Sequence, residues 1–456
     1  MPERFDLIVR GGTLVNGSGR RPADIAVRDG RIAAIGAAGG LTGRAPRILE
    51  ATGRYVLPGL IDGHVHFREP GLEHKEDWLT GSRAAVMGGV TTVLEMPNTV
   101  PPTATVADVE AKLALAQQKS YCDYGLFGLL GATNSDSLAP MLSSGLVVGL
   151  KVFLGPTTGG PAHSPDDVLV RELRAARHAG LRVAFHAEDA TIIDRSEDEL
   201  RARDRHDALA HLASRPVEAE VAAIEHAGRL LAEAGAKGHI LHLSSAEGLA
   251  AVSAWRERGL DLTCEVSAHH CFLTAEDYPL VGGLIKCNPP IREARHGQAL
   301  LGALADGAVD SIASDHAPHA ADEKLLPNIW QVAPGISGVE TTLRLFMTHG
   351  VHAGRLSLEQ LVRAFSERPA QAWGLWPRKG TLETGSDADL TIVDPEREGV
   401  IHAADLHGKH GVTPFEGWAT RGAPLATIVR GRLVMEDGRL TTEAGWGAPV
   451  RTGLLG

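Results

Sequence analysis

Cysteine is scarce in this sequence: 4 of 456 residues, with no C-x-x-C pair. Cys122, Cys264, Cys271 and Cys287 offer no disulfide framework in a chain of this length, which points to a reducing compartment. Long apolar runs are missing too. No stretch approaches the roughly 20 apolar residues that a membrane helix requires, and the opening M-P-E-R-F-D-L-I-V-R lacks the apolar core of a secretory signal. The expectation is a cytoplasmic protein. Net positive charge is also absent: 45 Lys+Arg against 56 Asp+Glu give a formal charge of −11, which argues against a nucleic-acid or anionic-membrane surface. Low-complexity segments and 20–50-residue repeats are not found, and 43% hydrophobic with 22% charged residues excludes a disordered or collagen-like chain. What the chain has in quantity is histidine, 21 in all, a supply of metal ligands and proton carriers.

Pattern divides the chain in three. Residues 1–56 read as short strands between Gly and Asp-Gly turns, and residues 377–456 contain the same pattern between 379 and 440. The two ends therefore read as halves of one small β-sandwich, in which G-R-I-A-A-I-G (30–36) and G-R-L-V-M-E-D-G (431–438) are candidates to pair. Between them, residues 57–376 alternate strand and helix. Eight candidate strands fall at 56–62, 90–96, 124–130, 146–153, 181–186, 239–243, 261–266 and 309–315, several of them continuous apolar runs of the kind that parallel strands covered on both faces show. Val217, Val221, Ile224, Leu230 and Leu231 mark one of the intervening helices. Eight such units over about 320 residues fit an α/β fold of the TIM (β/α)8 barrel type.

On that fold the chemistry-bearing residues converge. His64 and His66 follow the first strand in D-G-H-V-H-F-R, His186 closes the fifth, His242 lies near the end of the sixth and Asp315 closes the eighth in S-D-H-A-P-H. C-terminal strand ends form one face of a barrel, so residues far apart in sequence meet there. His-x-His in an extended segment points both rings to one side, and imidazole with a carboxylate suits Zn2+. Lys151, inside the fourth strand, is the unusual member. As an ammonium it is opposed by burial and by like charge; as a free amine it can take up CO2 to form a carbamate able to bridge two metals, and the residues alone leave both states open. Arg68 falls on the same side as His64 and His66 and offers a two-pronged grip on a carboxylate. Asn98 (M-P-N-T), Asn288 (K-C-N-P-P-I) and His319 are further candidate substrate contacts. Cys271 and Cys287 read as buried small residues, and His269 and His270 as neighbours of the site without an assigned role.

These motifs resemble those of the metal-dependent cyclic amidohydrolases, and within them most closely the bacterial dihydroorotases. The likeness runs nearly end to end through D-G-H-V-H-F-R-E-P-G-L-E-H-K-E-D, E-M-P-N-T-V-P-P-T, G-L-K-V-F-L-G, F-H-A-E-D, G-G-L-I-K-C-N-P-P-I and S-D-H-A-P-H-A-A-D-E-K. The resemblance implies two Zn2+ per chain: His64 and His66 on one, His186 and His242 on the other, N6-carboxylated Lys151 between them, and Asp315 as ligand and as general base and acid toward a bridging hydroxide. It implies that Arg68, Asn98, Asn288, His319 and the backbone of Pro334 and Gly335 hold dihydroorotate, which is reversibly hydrolysed to N-carbamoyl-aspartate in pyrimidine synthesis, and that the chain forms a homodimer. The family is divided at the bridging position, where some members carry Asp. The loop G-P-T-T-G-G (155–160) departs from the Ser-rich version of its relatives through Pro156. Allantoinase and dihydropyrimidinase (hydantoinase) share the metal set and remain alternatives, as does a non-catalytic scaffold.

Overall fold

The structure, a computed structural model, describes residues 3–131 and 134–452, so the first two and last four residues of the terminal segments lie outside it. The eight parallel strands are Leu60–Val65, Val90–Glu95, Asp123–Leu129, Gly149–Phe153, Val183–His186, Gly238–Ile240, Leu262–Val266 and Ser311–Ile312, hydrogen-bonded in sequence order. A bridge between Val65 and His316, with His66 N donating to His316 O at 2.8 Å, joins the last strand region to the first. The α/β barrel expected from strand and helix alternation is thus the observed fold. Most of its strands are buried along their whole length, as continuous apolar runs require.

Helices cover the outside. Val106–Lys119 begins with a reciprocal capping box between Thr105 and Asp108, and Val217–Ala234 ends on Gly235 in the left-handed conformation. In the latter helix Ile224, Leu230 and Leu231 are buried as expected, whereas Val217 and Val221 are only half-buried and line a surface groove.

The second unit is a nine-stranded sheet built from both chain ends. Tyr55–Pro58 pairs antiparallel with Leu390–Val400, Leu390 facing Pro58, and parallel with Leu7–Asn16. Leu7, Val9, Ile25, Val56, Leu390, Ile392 and Ile428 form its own apolar core. Two expectations are corrected here. Arg31–Ala37 and Arg432–Glu436 do not pair; they stand toward opposite ends of the strand order. The candidate strand 56–62 is two strands, divided at Gly59, because Tyr55–Pro58 completes the sheet of the chain ends before Leu60 enters the barrel. Gly59 N donates to Asp389 O, and a β-carbon there would lie 2.1 Å from Thr91 Oγ1, so only glycine fits this crossing. No helix among the described residues is long and apolar enough to span a membrane.

A buried charge cluster ties the two units together. Lys379 Nζ donates to Asp123 of the third barrel strand at 2.7 Å and to Asp389 at 2.6 Å, with Asp387 at 3.4 Å; Arg430 Nε adds a 2.9 Å bond to Asp123. Removing the ammonium leaves buried Asp389 without a cationic partner, while Asp123 keeps Arg430 and Asp387 keeps Arg378; breaking such a pair from one side costs about 3–5 kcal/mol. Lys379→Met is therefore expected to shift the denaturant midpoint down by that free energy. A midpoint within experimental error of wild type contradicts this role.

Candidate active site

One cavity opens at the C-terminal ends of the barrel strands. It holds about 360 Å³ including its mouth, and His64, His66, Arg68, Asn98, Lys151, His186, His242, Asn288, Asp315, Pro334 and Gly335 all line it. Eleven of the twelve residues expected from the sequence as metal ligands or substrate contacts thus meet at one place. His319 is the exception and stands behind Arg68.

The strand ends that carry these groups are bent to do so. Arg68, His242 and Asp315 have φ of 65°, 37° and 45°, a region non-glycine residues rarely occupy and that persists where surrounding structure enforces it. This explains why the sixth and eighth strands stop earlier than expected, at Ile240 and Ile312. Beyond them the backbone is held by side chains as well as by the ladder: Ser314 N donates to Asp62 Oδ1 at 3.0 Å, and His242 N to Glu265 Oε1 at 3.4 Å.

Two groups of donors face the cavity. His64 Nε2, His66 Nε2 and Asp315 Oδ1 form a triangle with sides of 3.2, 3.2 and 3.4 Å. A tetrahedral zinc ion with bonds of about 2.0–2.1 Å sets its ligand atoms about 3.3–3.4 Å apart, so the triangle fits one. His186 Nδ1 and His242 Nε2 lie 3.0 Å apart and form the second group. The tautomers agree with this. His64 Nδ1 is 2.7 Å from Glu265 Oε1, which places the ring proton there and turns the Nε2 lone pair to the cavity. His186 Nε2 is 2.9 Å from Glu188 Oε2, which leaves Nδ1 as the free donor. Burial opposes the charge on Glu265, but His64 and the hydrogen bonds from His239 and His64 outweigh it and hold the carboxyl at about 2. Burial likewise opposes the charge on Glu188, and the Arg215 guanidinium with the His186 bond holds it at about 2. Sequence reasoning missed both carboxylates. Glu188 sits two residues past His186 in F-H-A-E-D, an i, i+2 spacing that was legible; Glu265 reaches His64 from a strand 201 positions away, which no local pattern signals.

Lys151 is buried, its Nζ 4.8 Å from the centre of the Phe153 ring, and makes no hydrogen bond among the described residues. Burial lowers its amine to about 7, against the pull of Asp315 and Glu265. Burial moves the Asp315 carboxyl the other way, upward, so this group can carry a proton where an exposed aspartate cannot.

The expected substrate contacts divide. Arg68 is 1% exposed, and its guanidinium forms no ion pair with a carboxylate among the described residues. Nε donates to Pro318 O at 3.2 Å; Nη2 lies 3.2 Å from His319 Nε2. His319 cannot accept there. The Lys75 ammonium, 3.0 Å from His319 Nδ1, must donate to it, which puts the ring proton on Nε2, 3.0 Å from Pro334 O. Arg68 is left with guanidinium donors that no acceptor satisfies, and burial brings it down to about 10 in spite of Glu95, Asp315 and Glu323. With both ring nitrogens engaged, by Lys75 and by Pro334 O, His319 does not face the cavity, and the anchor of Arg68 is Pro318 O. Asn98 Nδ2 donates to Thr158 O at 2.8 Å, while its Oδ1 and that of Asn288 are buried without a partner. Thr157 and Thr158, from the loop containing Pro156, complete the wall and were not singled out in the sequence. Gly335 stands where a β-carbon would come within 2.2 Å of Ala317 O, and Lys324 Nζ pins its carbonyl at 2.9 Å.

Comparison with known proteins places these features in context. The amidohydrolase family profile matches residues 55–434. The chain is 41% identical to a dihydroorotase of Halobacterium salinarum, with 94% of this chain and 96% of that protein covered. It is 39% identical to an allantoinase of Rubrobacter xylanophilus, covering 96% of each. Among solved structures, L-hydantoinase from Arthrobacter aurescens superposes with a TM-score of 0.95 at 35% identity, over 98% of this chain and all of that one.

If Glu265 sets the His64 tautomer, Glu265→Gln is expected to weaken zinc binding about 10–100-fold, the usual effect of losing such a partner. Equilibrium titration of the metal-stripped protein measures it; unchanged affinity contradicts the assignment.

Proposed function

We infer that this chain, which belongs to the amidohydrolase family, is a hydrolase of cyclic amides whose substrate carries a carboxylate, and that this substrate is dihydroorotate. The observation that supports the carboxylate is Arg68: a buried guanidinium with unsatisfied donors, in the same cavity as the histidines. A charge kept dry and unpaired is costly, and a substrate carboxylate removes that cost on binding through a bidentate pair. Allantoin and the simple hydantoins bring no carboxylate, so the resemblance to allantoinase and hydantoinase leaves Arg68 without a purpose.

The donor set fits two divalent cations. His64, His66 and Asp315 would hold one and His186 and His242 the other, with Lys151 between them as its CO2 adduct; so bound, they would lower the pKa of water and polarise the ring carbonyl. The protein's own groups do the remainder. Arg68 fixes the carboxylate and with it the ring, and Asn98 and Asn288 present amides to the ring's polar edge. Asp315 takes a proton from the attacking water and delivers it to the amide nitrogen as the C–N bond breaks, a transfer suited to a carboxyl whose pKa burial has raised. In reverse, Asp315 begins protonated and the same contacts close N-carbamoyl-aspartate into the ring. The Pro318 carbonyl keeps Arg68 in position.

Arg68→Met is expected to reduce kcat/KM for dihydroorotate by at least about 30-fold, the effect of 2 kcal/mol or more for a buried charge pair, chiefly through KM. Unaltered KM overturns the carboxylate assignment. Lys151→Ala is expected to lose turnover and to regain part of it when short carboxylic acids are added in place of the missing bridge. Full activity with wild-type metal content in that variant contradicts the bridging role.

A further inference from the structure

A second cluster of metal-ligating side chains lies beside the cavity and takes no part in the chemistry above. His269 and His270 belong to the short helix Ala268–Phe272 that follows the seventh barrel strand, and Cys287 precedes the cavity residue Asn288. Each offers one donor atom, all within 4.8 Å of one another, and the three residues are 1%, 4% and 1% exposed.

Their hydrogen bonding leaves the donors spare. His270 Nε2 lies 3.0 Å from Pro289 O, so it carries the ring proton and Nδ1 holds a lone pair; that Nδ1 is buried with no partner. His269 Nε2 is likewise buried and without a partner. Buried polar atoms are rarely left so, and two of them on adjacent imidazoles, beside a thiol, ask for a common acceptor of lone pairs. The thiol itself makes only a 3.2 Å contact with Pro289 O.

We propose that His269, His270 and Cys287 bind a thiophilic divalent cation such as Zn2+, in a site separate from the catalytic pair. Two imidazoles and a thiolate are a soft to borderline set that favours zinc over magnesium or calcium. Binding forms one metal–sulfur and two metal–nitrogen bonds and releases the Cys287 proton to solvent; no oxidant or reductant takes part. A tetrahedral ion with bonds of about 2.0–2.3 Å brings the three donors closer together than 4.8 Å, so the cation draws the short helix and the 286–291 loop together. That loop carries Asn288, and the cation is therefore a tie that sets the amide of a substrate contact.

The site stands apart from the hydrolase reading, because the catalytic cluster contains no cysteine and the two give different signals. The test uses full-length protein, stripped of metal and titrated with Co2+. The expected result is a thiolate-to-cobalt charge-transfer band in the near ultraviolet, abolished in Cys287→Ser with one fewer Co2+ bound per chain, weakened in His270→Gln, and retained in His186→Asn. Zn2+ added to the wild-type protein should bleach the band, which tests the site without any variant. Absence of the band at saturating Co2+, or its persistence in Cys287→Ser, overturns the proposal.

Discussion

The hydrogen bond between His64 and Glu265 holds the active end of this protein together. It joins the first barrel strand to the seventh across 2.7 Å of dry interior, and its acceptor also receives His239. Because Glu265 takes the proton side of the His64 ring, the other nitrogen faces His66 and Asp315 as a lone pair. Without that orientation the three donors are only a cluster of side chains; with it they form a triangle of the size a tetrahedral ion needs. Glu188 does the same for His186, backed by Arg215. Each donor group has its own carboxylate behind it, and both carboxylates stay ionised although burial opposes it.

Electrostatics then explain the remainder of the cavity. Arg68 and Lys151 are buried near histidines that must stay neutral, and burial lowers both. A lysine brought near neutrality is the form that reacts with CO2. An arginine cannot lose its charge in this way and needs an anion from outside. The overall charge of −11 therefore says little about what the site binds: a locally positive, dry cavity can sit in an acidic protein. The bent backbone at Arg68, His242 and Asp315 belongs to the same economy of position, since a regular strand end would aim those groups elsewhere.

Much of this was legible in the sequence, and the reasons are specific. The eight buried strands announce themselves as apolar runs, and the rule that barrel strand ends share one face brings His64, His66, His186, His242 and Asp315 together from the sequence alone. What escaped depended on long-range contact or on exact backbone path. Glu265 looks like any carboxylate in a strand until His64 is placed against it. His319 read as a substrate contact because it follows Asp315 by four residues; its ring is instead committed to Lys75 and Pro334. The run 56–62 gave no hint that it is two strands, since the break at Gly59 is imposed by Thr91 and Asp389 from other elements. The chain ends were correctly read as one β-unit, while the pairing inside it was not, because edge positions follow from sheet order and not from similarity of short motifs.

In the proposed function the buried Arg68 guanidinium selects a carboxylate-bearing ring. Dihydroorotate and dihydrouracil share that ring and differ in the carboxylate alone, so their kcat/KM ratio with the wild-type, zinc-loaded enzyme is the most direct measure. The expected preference for dihydroorotate is at least about 30-fold, the effect of a buried charge pair worth 2 kcal/mol or more. Comparable turnover of dihydrouracil, or a preference for allantoin, contradicts it.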